Sequence, residues 1–186
     1  MRLFIALDIP GEIRTRISEF MERARRYAPD ARWARVEGLH ITLKFIGWFD
    51  DARVDQLKQA LSTPRSEPFE VSFENAGFFP GEKSPRVFWI GVKASEALPA
   101  LAATIDDATQ KVGIAKEERA FSPHLTLARA GTGSGASHNL KGLPPFLRSE
   151  ASLQFGTMTA REFWLYQSEP ARGGSKYTKL HRFALQ

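Results

Sequence analysis

Two stretches of this chain carry the same tetrad. Residues 38–47 read GLHITLKFIG and residues 122–131 read SPHLTLARAG. In each, a histidine is followed by an aliphatic residue, a threonine and a leucine, and a glycine (Gly47, Gly131) falls at the same distance beyond it. Applied without gaps, the offset of 84 residues also places Arg2-Leu3-Phe4 on Arg86-Val87-Phe88, Glu12 on Glu96, Ile17 on Leu101, Ala24 on Ala108, Ala31 on Ala115 and Arg35 on Arg119. A fixed offset is the mark of internal duplication, and it commits the chain to two similar lobes.

The order of elements repeats as well. Each segment opens on an apolar strand, RLFIAL at 2–7 and RVFWIGV at 86–92, rich in aliphatic and aromatic residues. A helix follows: Ile13, Ile17, Phe20 and Ala24 share one face over 11–27, and Leu98, Leu101, Ile105, Ala108 and Val112 do so over 97–112, with Ser95 and Glu96 as a start signal. Each segment then reaches its histidine strand. Between the copies, Asp50 or Asp51 can cap a helix over 52–61, and residues 68–79 alternate like a strand through Phe69, Val71 and Phe73. GTGSGASH at 131–138 reads as a loop. REFWLYQSE and KYTKLHRFAL form a closing pair of strands around the turn PARGG. The expected architecture is α+β and bilobal. It has two pseudo-symmetric lobes, each with an antiparallel sheet and helices, around a central cleft, in a single domain spanning residues 1–186.

Alternation along a strand gives the tetrad its chemistry. Residues two apart face the same side, so His40 and Thr42 share one face while Leu39, Ile41 and Leu43 share the other; His124 and Thr126 repeat this against Leu125 and Leu127. The polar pair spans roughly 6.5–7 Å of backbone, suited to a phosphate-sized group. Across a two-fold cleft, the two histidines flank one substrate. An imidazole titrates near pH 6.5, so one can be neutral while the other is protonated. The threonine hydroxyls can donate to non-bridging phosphate oxygens.

Composition narrows the partners. The chain has no cysteine, which excludes disulfides, thiolate metal sites and a cysteine nucleophile. No close-spaced His/Cys pair suggests zinc. No apolar run approaches the roughly 20 residues of a membrane span, so a cytoplasmic protein without a membrane partner is expected. A net charge of +5 favours anionic partners.

The two tetrads do not stand alone. Together with RLFIALDIP, RWARVEGLHITLKFIG, GFFPGEKSPRVFWIGV, SPHLTLAR and YQSEPARGGSKYTKL, they resemble the two-histidine (2H) phosphoesterase superfamily. Within it, the chain is similar to the LigT-like RNA 2′,3′-cyclic phosphodiesterases, also called 2′-5′ RNA ligases, over nearly its whole length. The resemblance implies a monomeric enzyme without metal or other cofactor that opens an RNA or nucleotide 2′,3′-cyclic phosphate to a 2′-phosphomonoester. It implies His40 as proton donor to the leaving 3′ oxygen, His124 as proton acceptor from water, Thr42 and Thr126 as phosphate-binding hydroxyls, and Arg129 as a phosphate contact. Strict alternation would put Arg129 on the face opposite His124, unless a bulge, a strand end or the side chain's length intervenes. The first copy has Phe45 at that place. Alternatives stand beside this reading: 2′-5′ RNA joining as the main activity, hydrolysis of another cyclic phosphate such as ADP-ribose 1″,2″-cyclic phosphate, and a nucleotide- or RNA-binding module without turnover.

Other candidates are weaker. Trp33, Phe78 and Phe79 can stack a base but read as core residues. Arg172 and Lys176, either side of a glycine pair, can bind RNA phosphates or simply form a solvated turn. His138 and His181 have no matching threonine and read as incidental.

Overall fold

The computed structural model describes residues 1–135 and 138–186. The expected loop over 131–138 therefore lies partly outside the described residues, at Ala136 and Ser137. The chain runs β1 (Arg2–Asp8), α1 (Gly11–Arg25), β2 (Arg32–Trp33), β3 (His40–Trp48), α2 (Val54–Leu61), β4 (Phe69–Phe79), β5 (Val87–Ala94), α3 (Ala97–Gln110), β6 (His124–Arg129), α4 (Leu143–Ser149), β7 (Gln154–Ala160), β8 (Glu162–Ala171) and β9 (Gly174–Ala184). Asp50 does cap the second helical region, accepting from Ala52 N at 3.0 Å, but a 3₁₀ turn over Asp51–Arg53 precedes α2. Ser95 accepts from Ala97 N at the start of α3. Two elements carry no strong sequence signal. α4 contains adjacent prolines, tolerated because they fall in its first turn, and β7 is interrupted by Gly156.

The strands form two antiparallel sheets, ordered β3-β1-β8-β9 and β2-β6-β5-β4-β7. Apart from the two-residue β2, the orders correspond: each histidine strand (β3, β6) pairs with the opening strand of its own repeat (β1, β5). The lobes are nevertheless not two consecutive halves. The closing hairpin β8–β9 completes the first sheet, while β2, from within the first repeat, adds to the second. The histidine strands β3 and β6 come into contact across the junction of the two sheets.

The helices are exchanged between lobes. α1 follows β1 of the first sheet but packs on the second, where Phe20 lies 6.0 Å from Phe88 and 5.3 Å from Phe155, and Arg16 donates to Phe155 O. α3 follows β5 of the second sheet but packs on β3 of the first, beside α2. The result is one contiguous apolar cluster that includes Leu3, Ile5 and Leu7 of the first sheet and Phe73, Phe88, Ile90 and Leu125 of the second. A small separate group, Phe4, Ala6 and Tyr166, lies on the other face of the first sheet and floors the cleft.

Each histidine strand carries a β-bulge at the same point of the repeat. In β3, Ala6 pairs with Thr42 and Ile5 with Lys44, leaving Leu43 extra. In β6, Trp89 pairs with Thr126 and Phe88 with Ala128, leaving Leu127 extra. The bulge resets alternation, so residues 44 and 128 turn inward behind 43 and 127. In β6 the inward residue is Ala128. In β3 it is Lys44, 5% exposed, which must find a counter-charge. Its Nζ donates to Asp106 of α3 at 2.5 Å and to Ala115 O at 2.7 Å, and Asp106 also accepts from Glu117 N. The bulge thus creates the buried ion pair that binds an exchanged helix to its sheet. Removing one partner strands the other: Asp106→Ala is expected to lower the unfolding free energy by about 3–5 kcal/mol in urea titrations. The Lys44→Met/Asp106→Leu double variant should recover most of that loss.

Candidate active site

His40 opens β3 opposite Asp8, and His124 opens β6 opposite Gly91. Their backbones turn in the same way. His40 Nδ1 lies 2.6 Å from Gly38 O, and His124 Nδ1 lies 2.8 Å from Ser122 O. A carbonyl only accepts, so each Nδ1 carries the hydrogen and donates it two residues back. Among the described residues neither Nε2 has a hydrogen-bond partner. In each ring, Nε2 is therefore the atom left to take or give a proton.

His40, Thr42, His124, Thr126 and Arg129 line one cavity of about 640 Å³ between the sheets. Arg2, Arg35, Phe45 and Tyr177 line it too. The bulge at Leu127 resolves the position of Arg129: the extra residue returns it to the face of His124 and Thr126, opposite Val87. The matching bulge at Leu43 brings Phe45 to the same face of β3. One strand therefore offers a guanidinium where the other offers an aromatic ring, and the cleft is chemically asymmetric despite its repeated backbone.

The two histidines sit in different surroundings. His40 is held among aromatics, with ring centroids 4.7 Å from Phe4 and 5.2 Å from Tyr177. Burial holds its pKa below the ordinary 6.5. The Gly38 carbonyl opposes this, Arg14 adds to it, Asp8 opposes it, and the positive charge of His124 adds a final depression. Around His124 the corresponding wall is Phe79, edge-on at 5.0 Å, which in turn packs at a tilt against Trp89.

Behind His40 stands a support that has no motif in the sequence. Arg14, on the first turn of α1, donates to Val36 O at 2.5 Å and to Ile9 O at 3.2 Å, and pairs with Asp8, which also accepts from Lys179. Val36 begins the 3₁₀ turn whose last residue, Gly38, accepts from His40. Arg14 therefore fixes the carbonyl that fixes the imidazole. A second cavity of about 610 Å³, lined by Asp8, Arg14, Tyr166, Lys176 and Lys179, adjoins His40 from this side.

The remaining candidates separate clearly. Trp33 lines the cleft, but its Nε1 donates to Ala28 O at 2.8 Å and its ring packs on the core. Phe78 is buried and stacked on Phe88, and Phe79 is the wall of His124. Gly173 and Gly174 of the last turn border the cleft, the Arg172 carbonyl accepts from Arg35, and Lys176 borders the second cavity. His138 and His181 line neither cavity. Among the described residues no group of three or more His, Cys, Asp or Glu is placed to hold a metal ion, and no helix is long and apolar enough to cross a membrane.

A group whose proton affinity is lowered by folding favours the native state when neutral. His40 therefore contributes stability fully above its unfolded value of 6.5, and that contribution is lost as pH falls through 6.5 toward the lower folded value. In NMR titrations of the free protein, His40 should titrate below pH 6.5. In Arg14→Gln, which removes a nearby positive charge, its midpoint should rise.

Comparisons with known proteins place the whole chain in one family. The 2′-5′ RNA ligase superfamily model matches residues 13–170. The RNA 2′,3′-cyclic phosphodiesterase of Archaeoglobus fulgidus is 32% identical, over 98% of this chain and 99% of its own length. The protein of that name from Escherichia coli K12 is also 32% identical, over 99% and 96%. The crystal structure of E. coli LigT complexed with 3′-AMP superposes with a TM-score of 0.79 at 28% identity, covering 99% of this chain and 97% of that one. The crystal structure of TT0787 from Thermus thermophilus does so with the same TM-score at 27% identity, covering 100% of this chain and 98% of that one. With a matching family model over most of its length and relatives aligned end to end, the chain belongs to the 2′-5′ RNA ligase superfamily.

Proposed function

We propose that this protein is an RNA 2′,3′-cyclic phosphodiesterase that hydrolyses the cyclic end to a 2′-phosphomonoester by two-histidine acid–base chemistry. The observation that carries the reading is the pair of free Nε2 atoms on one cleft, each ring oriented by a backbone carbonyl. Relatives aligned over nearly the whole chain bear the name of this activity.

The cyclic phosphate sits between the two rings. His124 Nε2 takes a proton from water as its oxygen forms a bond to phosphorus. The bond from phosphorus to the 3′ oxygen breaks, and His40 Nε2–H protonates that oxygen as it leaves. The phosphate stays on the 2′ oxygen, and the rings exchange their protons with solvent to reset. Thr42 and Thr126 donate to the non-bridging oxygens, with Arg129 as the nearby cation. His40 needs a proton to act as the acid, although its surroundings disfavour one in the free protein. The bound phosphate supplies the missing negative charge and draws that proton onto His40 as substrate enters. Protonation is thereby coupled to occupancy.

The same in-line chemistry with an RNA 5′-hydroxyl in place of water joins ends through a 2′-5′ bond, and the family's name reflects that reaction. Water favours hydrolysis by its abundance. One complete cleft is formed by a single chain, in keeping with a monomer, and the lack of cysteine suits the cytoplasm.

Incubation of RNA ending in a 2′,3′-cyclic phosphate with EDTA present should give a 2′-phosphate, with a bell-shaped pH profile. His40→Ala and His124→Ala should each lower kcat by about 10²–10⁴-fold. Full activity in either variant, or loss of activity with EDTA, would refute the mechanism, and binding without turnover would identify a non-catalytic module. Thr42→Val and Thr126→Val should each reduce kcat/KM by about ten- to a hundredfold, the cost of one hydrogen bond to a charged group.

A further inference from the structure

The strand that presents His40 continues outward to the most exposed large apolar side chain among the described residues. Trp48 is 82% exposed, and Phe45, between it and the histidine, is 51% exposed. Isolated exposed apolar residues are ordinary on protein surfaces. What sets these two apart is their face. Phe45 pairs with Phe4, and Trp48 pairs with Arg2, which in turn pairs with Ser168 on the other side; Phe4, Arg2 and Ser168 all border the cleft. A second bulge, with Ile46 extra and Gly47 at φ 80° opposite Leu3, restores Trp48 to that face. The left-handed backbone at Gly47 is one that glycine adopts without strain. Phe49 N donates to Met1 O beyond it, so the end of β3 is held in place. His40, Thr42, Phe45 and Trp48 thus form a single line along one face of β3, and the Arg2 guanidinium lies 5.2 Å from the centre of the Phe45 ring.

We propose that Trp48 and Arg2 bind the nucleotide preceding the cyclic phosphate end of a single-stranded RNA, with Trp48 stacking its base and Arg2 meeting the phosphodiester that joins it to the terminal nucleotide. This inference rests on the cyclic phosphodiesterase reading. The cyclic phosphate occupies both the 2′ and 3′ oxygens of the last ribose, so the RNA can continue only through its 5′ oxygen. A chain longer than one nucleotide must therefore leave the site along some surface. Phe45 to Trp48 spans at most about 10 Å of strand, a reach of one nucleotide step. Aromatic faces and a cation along a groove are the usual means of holding unpaired bases without reading their identity. The alternative exit, through the second cavity beside His40, is less favourable: of its Arg14, Lys176 and Lys179, two are already paired with Asp8, and the carboxylates of Asp8 and Glu37 line it too.

The test compares kcat/KM for a mononucleoside 2′,3′-cyclic phosphate with that for a dinucleotide carrying the same cyclic end. The wild-type protein should prefer the dinucleotide. Trp48→Ala should lower the dinucleotide-to-mononucleotide ratio by about tenfold, the scale of one stacked base, while Trp48→Phe keeps most of it. An abasic residue at the penultimate position should abolish the wild-type preference. Tyr27→Ala, at an exposed aromatic that lines neither cavity, should leave the ratio unchanged. A ratio equal in the wild type and Trp48→Ala, or equal with and without the penultimate base, would overturn the assignment while leaving the proposed activity standing. No turnover of either substrate would overturn both.

Discussion

The extra residue in each histidine strand, Leu43 in β3 and Leu127 in β6, is the constraint on which the site depends. A regular strand would offer the cleft residues 40, 42, 44 and 46, or 124, 126, 128 and 130. With the bulge it offers 40, 42 and 45, and 124, 126 and 129. That single reset brings Arg129 to the face of His124 and Thr126, brings Phe45 to the matching face of β3, and turns Lys44 into the interior. Bulges re-aim side chains next to active sites in many sheets, and here the same device occurs at the same step of both repeats.

The inward Lys44 links site and scaffold. Its ion pair with Asp106 connects the first sheet to a helix that follows a strand of the second. α1 makes the reciprocal crossing, and Arg14 on that helix holds the turn behind His40. The exchange of α1 and α3 explains how two sheets facing one cleft remain fixed relative to one another: their buried faces share one apolar cluster, and each sheet is covered in part by a helix that follows a strand of the other. Site geometry on the scale of ångströms depends on that rigidity, because groups that act together on one substrate tolerate little change in their separation.

Much of this could be read from the sequence, because duplication and alternation act locally. The repeat at 84 residues identified both histidines and both threonines, and alternation placed Leu39, Ile41, Leu125 and Leu127 in the core, where they lie. Alternation failed where the bulge overrides it. It set Arg129 on the wrong face and gave no reason for Lys44 to be buried. Helical spacing showed which faces of α1 and α3 are apolar, but the face does not reveal which sheet will cover it, so the exchange was invisible. Arg14 and Asp8 were missed for a similar reason: their role depends on a turn brought near by the fold, 22 residues from Arg14 in the case of Val36. Trp33, Phe78 and Phe79 drew attention as aromatics near the motifs, yet the exposed rings on the histidine face of β3 are Phe45 and Trp48.

The central claim is that both imidazoles meet one phosphate through Nε2. It is tested most directly by nitrogen-15 NMR of the histidine side chains as a nucleoside 2′-phosphate, the class of product, is added. At one equivalent bound, the Nε2 resonances of His40 and His124 should both shift with the same saturation curve, while both Nδ1 atoms keep the signature of a protonated nitrogen bonded to a carbonyl. A response from only one ring, or a shift carried by Nδ1, would contradict the account.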